Sequence, residues 1–522
     1  MTTGVDQRRQ GVGSLRQIAR AAGTVMVFFV LSRAAGLARE MIIGARFGTS
    51  ADLDAYLAAF RLPDLLFQLV AGGALGSAFI PVFTQRLLNE GRAPAWRLAS
   101  SVINLILVIM TLLALLAALL AQPLVTTVIA PGFTPAQQAL TAHLMRWMLI
   151  AAVIFGVSGI CMGILNACQH FWLPALAPLL YNLAIILGAW LLAPRWGVRG
   201  LVVGVVAGAC AHLLVQLPGL RRQGVRYGLT LGLDDPAVRE VGRLMAPRVL
   251  GLAAVQINFL INTILASALP AGSLAALNYG WLLMLLPQGI LAQGIATAAF
   301  PTFAAQAARG AAQEMRQTLT TILRALLATT IPASVGLILL GAPLVRLLLE
   351  RGAFDARSTQ LVAYALSFYA LGLVAHSVVE VVSRAYYAVH DTWTPVAVGL
   401  AAMAANVALS LALRGPLGHG GLALANTLAT TGEMVALVLL LRRRLGGLDL
   451  RPLGDIAARA AGAAACMALA LHWWGGDGGQ GAAWWSVISG GALGAAAYGA
   501  TFAVLAPHEA RAVWKIATQR LR

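Results

Sequence analysis

Arginines stand inside an apolar stretch near the start of the chain. The segment SRAAGLAREMIIGARFG carries Arg33, Arg39 and Arg46, with Ser32 and Glu40 beside the first two. A guanidinium is a planar fork that meets phosphate oxygens two at a time. Arg33 and Arg39 are therefore candidates to neutralise a phosphate away from bulk water. Six residues turn a helix through about 240°, so the two do not share one stripe, though both can border a wide cavity. The competing reading is internal pairing with Glu40, Asp54 or Asp64. Arg46, at the end of the stretch, reads as a side chain that snorkels to the interface.

Other polar groups punctuate apolar sequence. Asp54, Arg61 and Asp64 surround Pro63, where a bend is expected. Arg248 follows Pro247 at the head of a segment that continues through Gln256, Asn258 and Asn262. His376, Glu380 and Arg384 are spaced i, i+4 and i+8, along one helical face. Glu380 and Arg384 read equally as an ion pair or as a gating element. Asn406, Ser410 and Thr427 are a weak candidate cation set without a carboxylate. No H-E-x-x-H, phosphate-loop or nucleophile-elbow motif occurs, so no catalytic residue, metal ligand set or cofactor is expected. Cys161, Cys168, Cys210 and Cys466 show no metal spacing and read as small packing residues.

These groups need helices to hold them in lipid. The 522 residues are 59% hydrophobic and 11% charged, against about 25% charged in soluble domains. Apolar windows recur at about 22–47, 57–85, 99–122, 142–166, 172–193, 199–219, 246–269, 275–305, 319–343, 360–388, 394–413, 419–441, 457–474 and 483–506. Each is long enough to cross roughly 30 Å of hydrocarbon, where only internally bonded backbone is tolerated. The expectation is an all-α polytopic membrane protein with about fourteen transmembrane helices.

The net charge of +18 is nearly all arginine; Lys515 is the sole lysine. Alternate loops are arginine-rich, as the positive-inside rule requires, which places both termini in the cytoplasm and argues against nucleic acid as a target. The chain also repeats at an offset of 221: Phe133 with Phe354, Trp172 and Pro174 with Trp393 and Pro395, Gly200 and Leu201 with Gly421 and Leu422. The reading is two pseudo-symmetric six-helix lobes plus two C-terminal helices. The expected divisions are 1–21 as a cytoplasmic segment, 22–219 as the first lobe, 220–245 as a cytoplasmic linker, 246–445 as the second lobe, and 446–522 as the last two spans with a basic tail.

SRAAGLARE, DLDAYLAAFRLPDLL, GGALGSAFIPVF, PRVLGLAAVQINFLINTILAS, EVVSRAYYAVHDTWTP and GPLGHGGLALA together resemble the MurJ (MviN) family of lipid II flippases, in the MOP exporter superfamily. The resemblance spans residues of about 22–445. It implies an alternating-access flippase of the bacterial inner membrane, whose partner is lipid II, the undecaprenyl-pyrophosphate-linked peptidoglycan precursor. Membrane lipids and cell-wall synthesis proteins are the other partners it implies. It points to Arg33 and Arg39 as pyrophosphate ligands with Ser32 and Glu40 beside them, to Asp54 and Arg61 as matching charged positions, and to the last two spans as a groove for the lipid tail. Phe67, Leu282 and Leu285 stand where many family members carry charge; Arg248 is our candidate to supply the missing positive charge. The neutral Asn262 and Ser410 stand nearest to acidic cation ligands of some relatives. The alternatives are a flippase for another lipid-linked oligosaccharide, or a cation-coupled multidrug exporter of the same superfamily.

Overall fold

The computed structural model describes residues 3–70, 73–475, 483–507 and 509, with side chains undescribed at 3–22, 24, 70, 73–77, 247, 248 and 250–255. Among the described residues the regular structure is helical, without strands. Nine of these helices are long and apolar enough to span a membrane. The pair Ala356–Leu371 and Leu373–Ala388, bent by 47°, makes a tenth. The Trp393–Arg444 helix counts once, although Gly418 breaks it at φ 56° and ψ −133°. The remaining apolar segments lie on Thr3–Phe47, on Ala51–Val70 with Gly73–Asn89, and on Pro236–Ser267. A count of about fourteen spans is consistent with this arrangement, and the chain is an all-α polytopic membrane protein.

Two compact units divide the chain, Met1–Ile264 and Leu265–Arg522. In the first, Ala51–Val70 packs on Pro135–Ala167, and Trp172–Leu187 packs between Val198–Leu214 and Thr3–Phe47. In the second, Ser273–Gln288 packs on Ala356–Leu371, and Leu373–Ala388 on Trp393–Arg444. Ala312–Leu339 joins Arg451–Trp474, which pairs with Ala483–Leu505.

The repeat is written into the backbone. Thr134 caps the Pro135–Ala167 helix by accepting from Gln137 N–H, and Asp355, 221 residues on, accepts from Ser358 N–H. Those side chains satisfy amides that a helix start leaves without partners. The capped segments also end 221 apart, at Ala167 and Ala388. Just beyond, Gln169 and His390 adopt φ of 56° and 58°, the only non-glycine residues with positive φ among those described. Gly197 and Gly418 follow at φ 57° and 56°.

Three residues past each of these two glycines, at the corner they make, close packing demands glycine again. A Cβ on Gly200 would lie 2.6 Å from Ala193 N and 2.7 Å from the Leu192 carbonyl carbon. A Cβ on Gly421 would meet Leu413 O and, at 2.6 Å, the Leu413 carbonyl carbon. Leu192 and Leu413 are again 221 apart. The repeat is broken at Gly372, where the second unit bends and the first, with Ala151, runs straight. Near the bend, Ser334 Oγ donates to Ala370 O at 2.6 Å and Thr427 Oγ1 to Phe368 O at 2.8 Å, as bends require of neighbouring side chains.

Candidate functional site

The first unit gathers polar side chains from three helices. Arg39, on Thr3–Phe47, is part-buried. Its Nη2 donates to Glu40 Oε1 at 2.6 Å and its Nε to the same oxygen at 3.2 Å. Its Nη1 donates to Asn182 Oδ1 on Trp172–Leu187, at 3.0 Å. Asn182 Nδ2 in turn donates to Ser32 O at 3.3 Å, fixing which amide face meets the guanidinium. Tyr56 and Tyr181 lie within electrostatic reach of Arg39.

A second polar group sits further along Ala51–Val70. Arg61 Nε donates to Thr263 Oγ1 at 2.9 Å, and its guanidinium lies 5.7 Å from the centroid of Phe259. Asp64 accepts from Gln256 Nε2 at 3.5 Å, with Gln68 and Arg61 also beside it. Tyr181 lies within reach of both Arg39 and Asp64, so it stands between the two groups. Arginines held in this way cost less to bury, because their partners offset part of the lost hydration.

Not every sequence candidate joins these groups. Arg33 is exposed, with its guanidinium 5.3 Å from the centroid of Phe29. Among the described residues no carboxylate pairs with it. Ser32 contributes its carbonyl rather than its hydroxyl. Asp54 is buried in the first turn of Ala51–Val70, with its N–H on Ser50 O at 3.1 Å. Arg248 belongs to the Pro236–Ser267 helix, but its side chain lies outside the described residues. Asn182 and Thr263 were missed in the sequence, although a lone asparagine in WLPALAPLLYNLAIIL is a usable signal.

In the second unit Glu380 Oε1 accepts from Arg384 Nη2 at 2.9 Å, one helical turn apart. His376, on the same face, meets Asn426 Oδ1 at 3.1 Å through Nε2. Ser410 Oγ donates to Asn406 Oδ1 at 3.3 Å, while Thr427 is engaged by Phe368 O. Glu433, unremarked in the sequence, is half-buried midway along the second arm of Trp393–Arg444. The Ser273–Gln288 helix carries no charged residue at all.

The arrangement can hold an anion. Known proteins agree in kind. The family model described as Lipid II flippase MurJ matches residues 43–476. A probable lipid II flippase MurJ of Rhizobium tropici is 32% identical over 423 residues, 79% of each chain. The lipid II flippase MurJ of Burkholderia cenocepacia is 30% identical over 433 residues, covering 81% of this chain and 84% of that one. A solved lipid II flippase MurJ in an inward closed conformation matches with a TM-score of 0.79 at 24% identity, over 92% of this chain and 98% of that one. An inward-facing multidrug resistance MATE transporter of the MOP superfamily matches at 0.68 and 15% identity, over 81% and 98%. At such identities the structural likeness speaks for the fold; the family model and the curated relatives carry the assignment, and the chain belongs to the lipid II flippase MurJ family.

Proposed function

We propose that this chain moves lipid II from the inner to the outer leaflet of the bacterial cytoplasmic membrane, and that Arg39 and Arg61 hold its pyrophosphate. The observation that carries this reading is the Arg39–Glu40–Asn182 group, in which a part-buried guanidinium is held by one carboxylate and one amide. Glu40 and Asn182 use three of the five guanidinium N–H donors of Arg39. Two remain to meet phosphate oxygens. Glu40 also acts as a resting counter-ion. An arriving pyrophosphate exchanges one anion for another instead of neutralising a bare cation. That exchange limits affinity and favours release, which a carrier needs as much as capture.

Arg33, exposed on the same helix, extends the cationic surface toward the approaching headgroup, and Ser32, Asp54 and Asp64 position the cluster. Arg248 adds positive charge from the Pro236–Ser267 helix. Glu380 and Arg384 form a pair that gates the second lobe. Both termini lie in the cytoplasm. The lobes comprise residues of about 22–219 and 246–445, joined by a basic linker at 220–245, with 446–522 following. The lobes alternate access to the two leaflets while the polyprenyl tail stays in lipid. No cofactor enters this scheme.

The test is binding of labelled lipid II to purified protein, with soluble headgroup analogues and another lipid-linked oligosaccharide as competitors. Arg39→Ala and Arg61→Ala should each weaken binding by about tenfold or more, the size of a lost charge-assisted hydrogen bond. Both should abolish rescue of a flippase-depleted bacterium at unchanged expression. Undiminished binding by both variants would sink the assignment. Preference for the other oligosaccharide would redirect it to that cargo.

A further inference from the structure

The repeat puts His212 and Glu433 at one position of the fold, and the two units treat that position oppositely. In the first unit His212 is buried on the Val198–Leu214 helix. Its Nδ1 lies 2.7 Å from Ser158 Oγ, and Gln216 Nε2 donates to the same hydroxyl at 2.8 Å. Adding 221 to Ser158, His212 and Gln216 gives Val379, Glu433 and Leu437. A carboxylate thus replaces the imidazole, and both of its hydrogen-bonding neighbours become aliphatic. Among the described residues nothing donates to Glu433 or pairs with it.

Glu433 shares its helical face with buried Ala429, Thr430 and Leu437, so it points inward. Its Oε1 lies 3.6 Å from where a Cβ on Gly399 would stand. The facing titratable group is Tyr387, whose phenol is within electrostatic reach of Glu433, Glu380 and Arg384. Arg384 is already engaged by Glu380. The first arm of its own helix brings Gly399 near it. Nine residues, about 14 Å of helix, separate Glu433 from Arg442 at the end of the arm.

A carboxylate in apolar surroundings with no partner is an expense that structure alone does not explain. A metal cation would need several oxygens around it, and Val379 and Leu437 supply none. A proton needs only one carboxylate oxygen. We propose that Glu433 is a proton-binding site of the second unit, taking H⁺ from water on one side and returning it to water on the other, and so coupling cargo movement to the proton gradient. The bond made and broken is a single carboxyl O–H. This inference rests on the flippase reading above for its cargo, though not for the protonation itself.

Two measurements on the full chain in lipid vesicles test it. In the first, infrared difference spectra across a pH jump should contain a carboxyl protonation band that Glu433→Gln removes; identical spectra for the two proteins overturn the site. In the second, an imposed pH gradient should change fluorescent lipid II flipping several-fold in the parent protein. Glu433→Gln should keep the rate without a gradient within about twofold and lose the response. A variant that still follows the gradient overturns the coupling. Glu433→Met carries the same expectation should the glutamine variant fold poorly. If the parent flips no lipid II yet shows the band, the flippase reading fails while the proton site stands.

Discussion

The two repeats share a backbone and divide the charge. The first places Arg39, Glu40, Arg61 and Asp64 on its early helices and ties them to Asn182, Thr263 and Gln256. The second has an uncharged Ser273–Gln288 helix, and carries Glu380, Arg384 and Glu433 on later helices. Even the imidazoles change places. His212 in the first unit meets Phe155 at a ring distance of 5.2 Å; the residue 221 beyond Phe155 is His376, which meets Trp281 at 5.2 Å. A duplicated scaffold has kept the corners, caps and close approaches that hold helices together. It has let the polar groups diverge.

If that division is right, damage to the shared frame should hurt both units alike. Gly200→Ala and Gly421→Ala are the severest tests. In each, the new Cβ meets backbone atoms of the preceding corner, which cannot rotate away as a side chain can. Overpacking of this kind costs about 1–3 kcal/mol, and contacts with fixed backbone belong at the upper end. Both variants should therefore melt well below the parent in detergent, by similar amounts. A large loss in one and none in the other would break the structural equivalence of the repeats.

Much of this frame was legible in the sequence, because it rests on composition and on residues of unusual type. Apolar runs marked the helices, and Trp172, Trp393, Gly200 and Gly421 marked the repeat. The positive φ at Gln169 was hidden, because glutamine does not announce it, and a lone histidine such as His390, though of a type enriched there, does not fix it. The bend at Gly372 was missed as well, since one apolar run covers both of its arms. Partners were harder still. Asn182 and Thr263 lie 143 and 202 residues from the arginines they hold, and no local pattern reports such a distance. Arg39 was read as either a cavity lining or an internal pair. The geometry shows pairing that still leaves donors, a combination that residue spacing does not express. Glu433 was invisible for another reason: its character comes from aliphatic residues standing where the other repeat has hydrogen-bonding ones.

The position shared by His212 and Glu433 allows a test of sign. His212→Leu strips a partner from Ser158 and Gln216 in a buried site. Leaving such groups unsatisfied costs about 1–3 kcal/mol, so thermal stability should fall. Glu433→Leu removes a carboxylate that has no partner to lose. Relief of its desolvation should raise stability by about 1–2 kcal/mol, while the proton response disappears. Opposite shifts in melting temperature would sharpen the contrast between a structural imidazole and a working carboxylate. A fall in both would make Glu433 an ordinary packing residue.

The smallest effect concerns acid. In the second unit's corner Asp391 accepts from Thr394 N–H at 3.0 Å and from Thr394 Oγ1 at 2.8 Å, and it pairs with Arg444. The first unit has His170 at this position, so this anchor belongs to one repeat only. The Thr394 amide holds the Asp391 carboxyl below its usual range against the opposing cost of desolvation, with the Thr394 hydroxyl and Arg444 adding to it. A carboxylate whose folded pKa is depressed contributes stability above its unfolded value, about 3.9, and loses it as pH falls toward the folded value. Asp391→Asn should therefore melt lower than the parent by a constant margin above roughly pH 5. The margin should shrink as both proteins are taken below pH ~4. A margin that persists unchanged at the acid end would show that the corner depends on the shape of the side chain and not on its charge, and the repeats would then differ less than their residues imply.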